Sequence, residues 1–92
     1  MTIVRPSGEA VARWNTAFAE QTSALYQASK TGDAEAAGRL ALSYAAVAQA
    51  WRVLAGDLAA PLWARHACAV AAVEFERRAQ LESARKSGVE LR

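Results

Sequence analysis

The stretch 34-AEAAGRLALSYAAVAQAWRVLA-55 decides the fold. Its apolar residues Ala37, Leu40, Tyr44, Val47, Trp51 and Leu54 recur at alternating spacings of three and four. That period places them on one face of an amphipathic helix. A second seam, Leu42, Ala46, Gln49 and Val53, runs down the opposite side. A helix with two apolar faces requires neighbours on more than one side. Ala41, Ala45 and Ala48 flank the main seam and let a neighbouring helix come close, and Gly38 marks a possible close crossing at a cost of about 1 kcal/mol relative to Ala.

The flanking punctuation sets the limits of this helix. Before it, Thr31-Gly32-Asp33 reads as a turn, with Gly32 able to take the left-handed conformation and Asp33 placed as an N-cap. After it come Gly56 and a loop in which Asp57 is a candidate cap and Pro61 suits the first turn of the next helix. Upstream, Pro6 disfavours helix at Arg5 and Ser7 is a good N-cap. The pattern predicts helices over about 8–30, 34–55 and 61–86, an extended N-terminal arm over 1–7, one helical domain over 8–88 and a frayed tail over 89–92. The first helix is expected to bury Val11, Trp14, Phe18, Gln21 or Thr22, Leu25 and Ala28. The third carries two apolar sectors: Leu62, His66, Val70 and Val73, flanked by Trp63 and Leu81; and Cys68, Ala72, Phe75 and Ala79.

Composition agrees with this reading. About a quarter of the 92 residues are Ala, the best helix former, and apolar types make up 53%, which argues against disorder. Val and Ile are sparse and nowhere alternate, so no sheet is indicated. Short connections make consecutive helices antiparallel neighbours. The expected fold is therefore an all-α, compact antiparallel three-helix bundle with long helices, able to dimerise into a larger bundle through the surplus seams.

The chemistry-bearing residues are few. His66 and Cys68 point about 200° apart on one helix and make only two of the four ligands of a closed zinc site. The single Cys excludes an internal disulfide. No carboxylates converge for acid–base work, and no Gly-rich phosphate loop follows a strand. No catalytic residue, cofactor or metal is expected, and the chain is read as a non-enzyme. Eleven basic residues face nine acidic ones, many paired at Glu-to-cation spacings of four: Glu9/Arg13, Glu35/Arg39, Glu74/Arg78 and Glu82/Lys86. The cations near the carboxyl end are interleaved with Glu, which disfavours nucleic acid as a partner.

What remains is binding. The sequence reads as a small helical protein acting by protein–protein interaction, as an adaptor, regulator or inhibitor. The expected contact residues are Leu42, Val53, Phe75 and Trp63, with Arg52 and Arg65 as polar rim. The partner is another protein or a second copy in a homodimer. The alternatives are a structural homo-oligomer subunit and a weak, sequence-independent nucleic-acid-binding protein. Nine Arg against two Lys, with so much Ala, suggests a bacterial or phage source, and a phage product directed at a host complex fits the size. No signal peptide or membrane span is read, so a cytoplasmic location without membrane contact is expected.

Overall fold

The structure, a computed structural model, describes residues 8–90, with side chains through 88. The predicted arm and the last two residues lie outside the described range. Three helices account for nearly all of it: α1 (Gly8–Thr31), α2 (Ala34–Ala55) and α3 (Leu62–Glu90). All are α-helical and they pack as an antiparallel bundle in which α2 lies against both α1 and α3.

The turns form as their residues dictate. Gly32 adopts a φ of 64°, and its N–H donates to the Ala28 carbonyl at 2.9 Å, closing α1. Asp33 is the N-cap of α2, its Oδ1 accepting from the Ala36 N–H at 2.7 Å. In the second loop the Gly56 N–H donates to the Arg52 carbonyl at 3.1 Å. Asp57 stays inside the loop, accepting from the Ala59 N–H at 2.9 Å rather than capping α3. The Pro61 carbonyl starts α3 by accepting from Ala64 and Arg65. The third helix also runs beyond its predicted end near 86, through Ser87-Gly88 to Glu90. Gly88 is exposed, with open space where a Cβ would stand, and one Gly near a helix end costs only about 1 kcal/mol.

The main α2 seam is buried as read: Ala37, Leu40, Tyr44 and Val47 are enclosed, and Trp51 and Leu54 are half-buried. Ala36, Ala41, Ala48 and Ala50 beside it are buried too, because α1 and α3 cover adjoining sides of the same half of α2. The backbones of the two outer helices make no close approach to one another, although their side chains share both core clusters, so the layout is open and one long side of α2 is exposed. The Cα radius of gyration, 15.3 Å, exceeds the ~12 Å of a compact domain of this length.

Size, not apolarity, selects the packed faces. On α1 the buried line is Ala10, Ala17, Gln21 and Ala28, with Trp14 and Ala24 half-buried. The larger Val11, Phe18 and Leu25, expected in the core, sit exposed on the flank. On α3 the packed sector is Cys68, Ala72, Phe75 and Ala79, with Ala72 fully enclosed. Leu62, His66, Val70 and Val73 point outward. Two clusters make up the core. Ala28, Ala36, Leu40 and Tyr44 pack with Ala24, Phe75 and Ala79; Ala17, Val47 and Ala50 pack with Trp14, Trp51 and Phe75. Alanine stripes bring helix axes close, and the few large side chains fill the spaces between.

Gly38 sits where α2 meets the end of α3. A Cβ there would lie 3.2 Å from Lys86 Cδ and 3.4 Å from its Cε, so the lysine stem lies over the glycine. Gly38→Ala is expected to raise stability by up to about 1 kcal/mol through helix propensity, since the flexible Lys86 stem can give a few tenths of an ångström. Urea denaturation followed by circular dichroism measures this; a loss of stability would mean that the contact is rigid.

Candidate interaction site

The bare side of α2 carries Leu42, Ala45, Ala46 and Gln49, all exposed. Leu42 is 74% exposed, far more than a leucine needs to be in a packed bundle. It stands on a ridge between two shallow grooves. One, of about 620 Å³, lies between α2 and α3 with a floor of Gly38, Ala41, Ala45 and Ala79. The other, of about 300 Å³, lies between α1 and α2 and includes Ala24, Ser43 and Ala46. The first groove is edged by Glu35, Arg39 and Lys86, where Arg39 donates to Glu35 at 2.9 Å. An apolar floor, a projecting leucine and a charged edge together form a surface suited to receiving a helix.

The other expected contact residues are divided by the fold. Trp63 is exposed at the start of α3. Val53 is half-buried and borders a small groove with Glu9, Ala10 and Arg13. Arg52 is exposed, and its Nε donates to Glu76 Oε1 at 2.7 Å, which ties α2 to α3. Two of the expectations meet a different arrangement. Phe75 is not on a free face: it is half-buried, packs against both core clusters and faces the Tyr44 ring at 6.0 Å. The reason is that its sector, rather than the one with Leu62 and Val73, offers the small residues that let α3 approach α2. Arg65 is not a free rim: its Nε donates to the Ala55 carbonyl at 3.0 Å, satisfying one of the open carbonyls at the end of α2. The sequence contains no signal for that bond, because it depends on how the loop returns α3 to α2.

Apart from Arg52–Glu76, the ion pairs lie within single helices. Glu74 accepts from Arg77 at 2.7 and 3.0 Å and from Arg78 at 3.1 Å. The Arg77 hydrogen bonds first, and the Arg78 bond second, hold its carboxyl down at about 2. Arg78 also lies over the Phe75 ring at 5.0 Å, a cation–π contact. The predicted pairs Glu9/Arg13, Glu35/Arg39 and Glu74/Arg78 form, and Glu82 takes Arg85 at 2.7 Å.

The aromatic cluster at the α1–α2 contact belongs to the scaffold. Trp14 stacks on Phe18 with centroids 5.0 Å apart and meets Trp51 edge-on at 5.1 Å. Both indole N–H groups are enclosed with no acceptor among the described residues. His66 is exposed and Cys68 half-buried on different sides of α3. Among the described residues no group of three or more His, Cys, Asp or Glu could hold a metal ion, and no helix is long and apolar enough to cross a membrane. No protein-family model matches the chain, and no curated protein or solved structure is detectably similar to it.

Proposed function

We propose that this chain is a small non-enzymatic protein that acts by protein–protein contact, presenting the bare side of α2 to an apolar helix face of its partner. The observation that carries this reading is Leu42, a large apolar side chain held 74% exposed on the middle helix, between two grooves with small-residue floors. Burying it would recover about 1.5–3 kcal/mol, and the adjacent alanines would allow close helix approach. An adaptor, regulator or inhibitor works in this way, and a cytoplasmic bacterial or phage setting suits the composition.

The test is affinity capture from a lysate of the native host, with and without nuclease, using the wild-type chain and Leu42→Ser. A protein recovered in stoichiometric amount by the wild type, resistant to nuclease and lost with Leu42→Ser at unchanged helicity, is the expected result. Recovery that disappears with nuclease would transfer the chain to the nucleic-acid-binding class, and recovery unaffected by Leu42→Ser would remove the bare α2 side from the interface.

A further inference from the structure

We infer that the outer face of α3 pairs antiparallel with the same face of a second copy of this chain. The inference rests on the reading above that the chain works through protein contact, and it concerns a different face from that of Leu42. On α3 the exposed large apolar side chains are Leu62 (77%), Trp63 (76%), Val70 (55%), Val73 (58%) and Leu81 (55%). At 100° per residue all five fall within a sector of about 100°, nearly opposite the sector of Cys68, Ala72, Phe75 and Ala79 that packs on α2. The helix therefore has one seam used within the chain and a second seam unused.

The spacing of the unused seam points to its occupant. Leu62 and Leu81 lie equally far from the midpoint between Ala71 and Ala72, and so do Val70 and Val73. Four of the five side chains thus recur when the seam is read in the opposite direction, and Trp63 has Gln80 as its counterpart. A twofold interface demands this property, since residue i must meet residue j while j meets i. In an antiparallel pair centred there, Val70 meets Val73, Trp63 meets Leu81 along one edge of the seam, and Leu62 lies beside Gln80 along the other. His66 comes opposite Arg77. A foreign partner would impose no such symmetry. The five side chains expose on the order of 600 Å² per protomer, most of the ~800 Å² each partner contributes to a standard interface.

Sedimentation equilibrium on the full chain tests this. The wild type is expected at twice 9.8 kDa at submillimolar concentration. Val70→Glu with Val73→Glu places like charges together at the centre of the seam, and should raise the dissociation constant about a hundredfold with helicity retained. If that variant loses its helices, Trp63→Gln with Leu81→Gln makes the same test at the ends of the seam. His66→Glu fixes the direction: in the antiparallel pair it gains Arg77 of the other copy and tightens the dimer about two- to fivefold, whereas in a parallel pair it would face its own copy and weaken it. A wild type that stays at 9.8 kDa, a dimer indifferent to the seam variants, or a dimer weakened by His66→Glu each overturns the inference. A monomeric chain that still captures a protein through Leu42 would end this inference and leave the proposed function standing; a dimer that captures nothing would do the reverse.

Discussion

Phe75→Ser is expected to cost at least about 3 kcal/mol of stability, while Leu42→Ser leaves the helical fold unchanged. Both are large apolar residues on seams that look alike in the sequence. Phe75 packs against both core clusters and the Tyr44 ring, and it carries Arg78 on its face. Truncating a core Phe costs about 3–5 kcal/mol; partial exposure sets the lower end, and the serine hydroxyl adds a polar group with no evident partner. A chain of this length is stable by roughly 5–14 kcal/mol in total, and one with an open layout and an alanine-rich core belongs near the bottom of that range. Phe75→Ser should therefore melt far below the wild type or be unfolded at 37 °C. Leu42 is exposed and belongs to neither core cluster. Urea denaturation of the two variants, followed by far-ultraviolet circular dichroism, separates them. Equal midpoints would show that Phe75 does not hold α3 to α2.

The contrast marks what could be read from the sequence. Helix positions, and every helix end but the last of α3, were legible because they depend on local chemistry: Gly32 takes its left-handed turn, Asp33 caps α2, and Pro61 opens α3. The buried seam of α2 was legible because its large residues and its packed face coincide. On α1 and α3 they do not. Periodicity weights Val11, Phe18 and Leu25 above Ala10 and Ala17, yet the small residues, with the expected Ala28, face α2 because they allow the closer approach and the longer contact. The same preference turned α3 over, putting Phe75 inside and Val73 outside. Leu42 could be placed on the free side of α2 from the helical wheel alone, since α2 was the one helix whose packed side was read correctly. The roles of Arg65 and Arg52 could not be foreseen, because the Ala55 carbonyl and Glu76 reach them only after the second loop has closed. The mirror symmetry of the outer α3 seam was present in the sequence, but it acquires meaning only once that seam is known to be exposed.

Leu40→Ala is expected to be the most damaging single truncation, costing about 4 kcal/mol. The leucine is 1% exposed and lies in the cluster that joins all three helices: Ala24 and Ala28 of α1, Ala36 and Tyr44 of α2, Phe75 and Ala79 of α3. Leu→Ala in a core costs about 2–5 kcal/mol, and the value within that range depends on how far the surroundings collapse into the void. Here four of the six neighbours are alanines, which have no side-chain torsion with which to follow. The void can be filled only by moving a helix. The backbones of the outer helices approach α2 and not one another, so little opposite pushes α1 inward when the leucine is removed. The loss should therefore fall in the upper part of the range and first loosen α1. Hydrogen exchange should show this as faster exchange in α1 than in α3, against uniformly slow exchange in the wild type. Val47→Ala, equally enclosed but in the neighbouring cluster and losing less volume, should cost clearly less. If the two variants cost the same and open all three helices together, α1 and α3 must support one another more directly than the open layout allows.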